Sequence, residues 1–85
     1  MTYYAQGYFT WGNGSVKIAY PKGGVSNVPK KCTVSNRKIS SGVSNYAYVL
    51  NKFAYVKYSF SVTNMYGSVS NFSVQIRVSE NGNLI

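Results

Sequence analysis

The sequence contains no His and no Asp, and Glu80 is its only acidic residue. Imidazole-based metal sites, Ser-His-Asp triads, Cys-His pairs and paired-carboxylate glycosidase chemistry are therefore all excluded. No stretch approaches the roughly 18 consecutive apolar residues of a membrane-spanning helix. Cysteine is nearly absent too: Cys32 is alone, so no intrachain disulfide can staple the fold. No Gly-rich phosphate loop exists, since Gly23-Gly24 has neither the spacing nor the Lys-Ser/Thr and helix that should follow. The sequence is read as that of a non-enzymatic protein with no cofactor and no metal.

What is present is aromatic and basic. Nine Tyr, four Phe and one Trp accompany nine Lys and Arg, for a net charge of +8 over 85 residues. This length makes one domain, residues 1–85, near the size at which a single core just offsets the entropy of ordering the chain. Charged residues are only 12% of the chain, and Ser and Asn supply most of the polarity. That balance is common among extracellular β proteins, so secretion is expected, with any leader already removed ahead of Met1. The positive charge favours anionic partners: an anionic polymer, a glycan, the cell envelope or nucleic acid.

Apolar residues recur with period 2 and never with a helical period, which predicts strands. Val56, Tyr58, Phe60 and Val62 alternate with Tyr55, Lys57, Ser59 and Ser61. Further on, Phe72, Val74, Ile76 and Val78 alternate with Ser73, Gln75, Arg77 and Ser79. Residues opposite each other in an antiparallel pair share a face, so parity selects the turn length. A three-residue loop, Met65-Tyr66-Gly67, pairs Phe60 with Phe72, Tyr58 with Val74 and Val56 with Ile76, and puts Gly67 where a left-handed residue is wanted. Tyr55 then meets Arg77 and Lys57 meets Gln75 on the polar face. At the other end, Asn13-Gly14 predicts a type I′ turn that pairs Trp11 with Val16, Phe9 with Ile18 and Gly7 with Tyr20 inside, leaving Tyr8 beside Ala19 and Thr10 beside Lys17 outside.

Between these hairpins, Pro21 to Lys30 reads as a loop and Lys31 to Ser35 as a short strand. Asn36-Arg37-Lys38 reads as a turn, Ile39-Ser40 as a short strand or edge, and Val43 to Leu50 as a further strand. The expected architecture is an all-β, small antiparallel β-sandwich of six or seven strands, with a small partly open β-barrel as the alternative.

The candidate binding residues are the cations and the outward tyrosines: Tyr8, Lys17, Tyr55, Lys57 and Arg77, with a second basic group of Lys30, Lys31, Arg37 and Lys38. Tyr rings can stack on sugars or bases while cations hold carboxylates or phosphates; lysines also serve simply to solvate the chain and guard strand edges. Lys57-Tyr58-Ser59-Phe60-Ser61-Val62 resembles the aromatic RNA-binding strand of RRM domains, but parity turns Tyr58 and Phe60 toward the core. Asn13-Gly14-Ser15 and Asn71-Phe72-Ser73 fit the glycosylation pattern, which arises easily by chance in a chain rich in Ser and Asn. Cys32 shares parity with Val34 and is expected to be a small buried residue, although Lys30 and Lys31 could activate it as a thiolate.

Several segments look like a family of small secreted proteins of unknown function from Gram-positive bacteria. They are Trp11 with Val16-Lys17-Ile18, Asn36-Arg37-Lys38-Ile39-Ser40-Ser41, Ala54 with Tyr58-Ser59-Phe60, and Ile76-Arg77-Val78 with Asn81-Gly82-Asn83-Leu84. This resemblance implies secretion and no particular functional residue. Gly7-Tyr8-Phe9-Thr10-Trp11-Gly12, together with the basic Tyr/Ser/Asn-rich composition, is more distantly similar to the lactococcin-type β-sandwich bacteriocins, which implies an antimicrobial role. Binding of an anionic or glycan-rich surface, such as bacterial envelope or mucus, is the leading expectation. A bacteriocin-like activity and single-stranded nucleic-acid binding are the alternatives.

Overall fold

A computed structural model describes residues 1–45 and 52–85. These form five strands and no helix: β1 (Thr2–Gly12), β2 (Ser15–Ser26), β3 (Thr33–Asn45), β4 (Lys52–Thr63) and β5 (Val69–Ser79). β1 and β2 make a two-stranded antiparallel sheet; β3, β4 and β5 make a three-stranded one with β4 in the middle.

Both turns deduced from parity are found. Asn13 and Gly14 have φ of 51° and 73°, the two left-handed residues of a type I′ turn, and Trp11 faces Val16 while Phe9 faces Ile18. In the second hairpin, Phe60 faces Phe72, Tyr58 faces Val74, and Tyr55 faces Arg77. There the Gly67 amide donates to the Asn64 carbonyl at 3.0 Å, and Gly67 takes φ 84°. The Asn64 side chain ties the loop down by accepting from the amides of Tyr66 at 2.9 Å and Ser68 at 3.0 Å.

Among the described residues five strands replace the expected six or seven, because the short strands expected between residues 31 and 45 run together as β3; two segments expected as loop or turn are bulged strand. On β2, Tyr20 and Pro21 together oppose Gly7, so pairing moves from Tyr8↔Ala19 to Gln6↔Lys22. Pro21 has no amide hydrogen for the ladder, and Tyr20 adopts φ 54°. The expected inward pair Gly7 with Tyr20 is thus overturned, and Tyr20 is 83% exposed. Beyond the bulge the strand continues to Ser26 rather than becoming a loop at Pro21. The extra residue reverses parity: Val16 and Ile18 face the core before it, Gly23 and Val25 after it.

The same device operates on β3. Ser35 pairs with Ser61 and Lys38 with Ser59, so Asn36 and Arg37 together oppose Phe60; Asn36 takes φ 53°. What reads as a turn at Asn36-Arg37-Lys38 is a bulge, and the short strands expected around it fuse into β3. It reconciles Val34 with Ile39 and Val43, which differ in parity yet lie on one face. The expected strand Val43 to Leu50 is found as part of β3 up to Asn45; its continuation lies outside the described residues.

The two sheets share one apolar cluster. Its buried centre is Ala5, Val56, Tyr58 and Phe60, with Tyr3, Phe9, Ile18, Val25, Val34, Val62, Phe72, Val74 and Ile76 packed around them. Phe60 is the hub: its ring lies 5.2 Å from Tyr3 edge-on, 5.5 Å from Tyr58 and 5.4 Å from a stacked Phe72. The two adjacent glycines, expected to mark a loop, serve packing. A Cβ at Gly23 would come within 2.5 Å of the Tyr58 ring, and Gly24 lies under the ring of Tyr4. Trp11, expected inside, is 56% exposed, its indole lying over Gly82 of the C-terminal segment. Cys32 is half-buried rather than buried; its amide donates to the Pro29 carbonyl at 3.2 Å in the turn between β2 and β3.

Candidate binding faces

Four of the residues singled out from sequence, Tyr55, Lys57, Arg77 and Lys38, come together on the outer face of the three-stranded sheet. Alternation along β4 places Phe53, Tyr55, Lys57, Ser59 and Ser61 on the side away from the core. Across the sheet, Tyr55 is opposite Arg77 on one flank and Gly42 on the other, and Lys57 lies between Gln75 and Ser40. The Tyr55 ring lies across β3 at Gly42, where a Cβ would meet the phenol oxygen at an ordinary contact distance of 3.5 Å.

Phe53, which sequence reasoning did not single out, completes this arrangement. The Arg77 guanidinium carbon lies 5.7 Å from the centre of the Phe53 ring, a cation–π distance. The Phe53 and Tyr55 rings are 6.3 Å apart. This contact favours an Arg77 position beside the ring, on the strand pair that sets Arg77 opposite Tyr55. The signal for Phe53 was available, because it has the parity of Tyr55 and Lys57.

Next to Lys57 the same face sinks into a shallow trough of about 320 Å³, bordered by Asn36, Lys57, Ser59, Ser61, Asn71 and Ser73 among others. The Ser61 hydroxyl donates to Asn71 Oδ1 at 2.7 Å, which holds the floor of the trough in place. The bulge at Asn36 forms one wall. Lys38 is on this face as well, opposite Ser59 and hence diagonal to Lys57, a separation of about 7–8 Å between backbones. The resulting surface runs along β4 from aromatic rings, through cations, to hydroxyls and amides.

The remaining candidates lie elsewhere. Tyr8 and Lys17 occupy the outer face of the two-stranded sheet, on the opposite side of the molecule, with Lys17 paired to Thr10 and diagonal to the 69%-exposed Tyr8. Lys30 and Lys31 are exposed in the turn before β3 and share neither sheet face. Arg37 and Lys38 both border a cleft of about 390 Å³ between β2 and β3, whose other walls include Gly23, Val25, Ile39 and Tyr58. The basic group expected as one cluster of Lys30, Lys31, Arg37 and Lys38 is thus split, with Lys30 and Lys31 in the turn and Arg37 and Lys38 on β3.

Nine cations share a single acidic side chain, that of Glu80, which lies at the end of β5 with its amide donating to the Lys52 carbonyl at 3.1 Å. The described residues contain no cluster of three or more His, Cys, Asp or Glu. They also contain no helix long and apolar enough to cross a membrane. No family model, curated protein or solved structure matches the chain.

Proposed function

We propose that the two sheets form a small β-sandwich, exported from the cell, whose three-stranded outer face binds an anionic glycan or envelope polymer without chemistry. The observation that carries this reading is the placement of Tyr55, Lys57 and Arg77 on one sheet face, with Arg77 held over Phe53 and no acidic side chain among them. A sugar ring presents a flat C–H surface that can lie on the phenol of Tyr55. Carboxylate, sulfate or phosphate substituents meet Lys57, Arg77 and Lys38, and the trough beyond Lys57 offers Ser59, Ser73 and Asn36 to hydroxyls. The RRM-like strand supports nucleic-acid binding poorly, because Tyr58 and Phe60 are buried and cannot stack on bases.

The test is retention on purified cell walls and on mucin at low and at high salt. Salt-sensitive retention is expected on at least one of them, because contacts between exposed charges are screened within about a Debye length. The double variant Lys57→Gln, Arg77→Gln is expected to lose about tenfold in affinity, corresponding to roughly 1.4 kcal/mol. Lys30→Gln, Lys31→Gln removes the same charge from the turn and should cost much less. Equal losses from the two double variants would show that only net charge matters and would defeat the face assignment. No retention on either material would defeat the whole reading.

A further inference from the structure

The two long sides of this molecule are built differently. Both bulges occur on β2 and β3, and these strands also carry Pro21, Lys17, Lys22, Arg37 and Lys38. Bulges, prolines and lysines are the devices by which an edge strand avoids pairing with another chain. On the opposite side, β1 has no charged residue. β5 pairs with β4 from Phe53↔Ser79 to Thr63↔Val69 without a register shift, and from Val69 to Ile76 it contains no Pro, Gly or charge.

The free edge of β5 is covered only at one end. The Ser79 amide donates to the Asn83 carbonyl at 2.8 Å and the Ile85 amide to the Arg77 carbonyl at 3.1 Å, with Val78 bridging Leu84. Arg77 and Ser79 therefore direct backbone groups away from β4. By alternation, Val69, Asn71, Ser73 and Gln75 do the same, and among the described residues nothing pairs with them. β1 is the less suitable edge, because it lies opposite the β2 bulge, which twists its sheet.

We infer that the open edge of β5 pairs with β5 of a second copy of this chain, antiparallel, to make a continuous six-stranded sheet. Charge at this edge permits a second copy as the occupant, and the two-fold register makes the strip self-complementary. Two molecules of net charge +8 repel along most of their surfaces, and residues 69–76 are a strip where two copies can approach without setting cation against cation. A two-fold axis at Phe72 pairs Asn71 with Ser73 and Val69 with Gln75 of the other copy, each presenting its outward backbone groups. It leaves Arg77 beyond the pairing and extends the apolar row of Phe72, Val74 and Ile76 across the junction. The contact is isologous and closes at two copies. The axis is perpendicular to the sheet, so both Tyr55–Lys57–Arg77 faces end on the same side. This inference does not rest on the ligand proposed above.

Sedimentation equilibrium of the protein, with reductant present to exclude Cys32 cross-links, tests it. An edge of this length belongs with small interfaces below about 1,200 Å², so weak, concentration-dependent association is expected. The mean mass should rise from 9.4 kDa toward twice that value and no further. Association should strengthen with added salt, which screens the repulsion between copies, whereas glycan retention weakens; the two proposals therefore fail independently. Ser73→Pro removes an outward amide without touching the β4 ladder and should weaken the dimer at least about tenfold with the circular dichroism unchanged. Should Ser73→Pro lose the fold, the double variant Asn71→Lys, Ser73→Lys sets like charges opposite each other across the axis and should give the same loss. A monomer at all concentrations in high salt, assemblies larger than a dimer, or a dimer insensitive to the folded variants would overturn the inference.

Discussion

The two hairpins start alike and end differently. Each leaves its turn in the register that parity dictates, but β4–β5 keeps that register over its whole length while β1–β2 loses it at Tyr20-Pro21. The unbroken hairpin supplies Val56, Tyr58 and Phe60 to the centre of the core and also the proposed binding face. The broken one supplies a cover that must change parity part-way to keep apolar residues inward. An uninterrupted period of 2 makes both faces of a strand predictable at once. A bulge makes them predictable only to the point where the extra residue enters.

The largest expected effect tests which hairpin carries the core. Phe60→Ala removes the ring against which Tyr3, Tyr58 and Phe72 pack, and should cost about 3–5 kcal/mol. That is a large share of the roughly 4–13 kcal/mol available to a domain of this size. Val16→Ala, at a buried position of the bulged hairpin, should cost only about 2 kcal/mol, from two lost methyl groups at roughly 0.8 kcal/mol each plus a small cavity term. Urea denaturation of both variants gives the comparison. Equal losses would mean that the covering hairpin contributes as much to the core as the three-stranded sheet does.

The adjacent glycines sharpen the same contrast from the covering side. Gly23 faces the buried Tyr58 ring, which has no room to move, so Gly23→Ala should cost about 1–3 kcal/mol through overpacking. Gly24 faces the ring of Tyr4, which is 42% exposed and can swing outward. Gly24→Ala should therefore stay within about 0.5 kcal/mol, as for an ordinary surface change. Thermal denaturation of the two single variants distinguishes them, and a reversed order would place the parity change on the wrong side of Tyr20.

Much of this architecture was legible in the residues. The three-residue loop at Met65-Tyr66-Gly67 followed from requiring Phe60 and Phe72 to share a face, and the outward set Tyr55, Lys57 and Arg77 came with it. The bulges were legible in principle, since Val16 and Ile18 against Val25, and Val34 against Ile39 and Val43, change parity within one strand. They were hidden by residue type: Pro21, Gly23-Gly24 and Asn36 are turn-formers, and a left-handed residue inside a strand uses the same chemistry as a turn. The trough beside Lys57 could not be read from β4 and β5 alone, because Asn36 reaches its rim only through the β3 bulge. Nor could the split of the basic group, which arises because Lys30 and Lys31 lie in the turn before β3 while Arg37 and Lys38 lie at its bulge.

The smallest expected effect concerns the bulge itself. Tyr20 holds φ 54° immediately before a proline, a left-handed conformation that costs a residue with a Cβ about 1–2 kcal/mol. Its side chain is 83% exposed, so little packing offsets that cost. Tyr20→Gly relieves the strain and gives back about 0.5–1 kcal/mol through the greater freedom of glycine in the unfolded chain. The net expectation is a stabilisation of about 0.5 kcal/mol, equivalent to a rise of roughly 2–4 °C in Tm for a domain of this size. Tyr20→Ala keeps the strain and removes only the exposed ring, so it should leave Tm nearly unchanged. A clear loss of stability in both variants would mean that the ring is packed inward, as the simple two-residue alternation requires, and that β2 runs to its end without an extra residue.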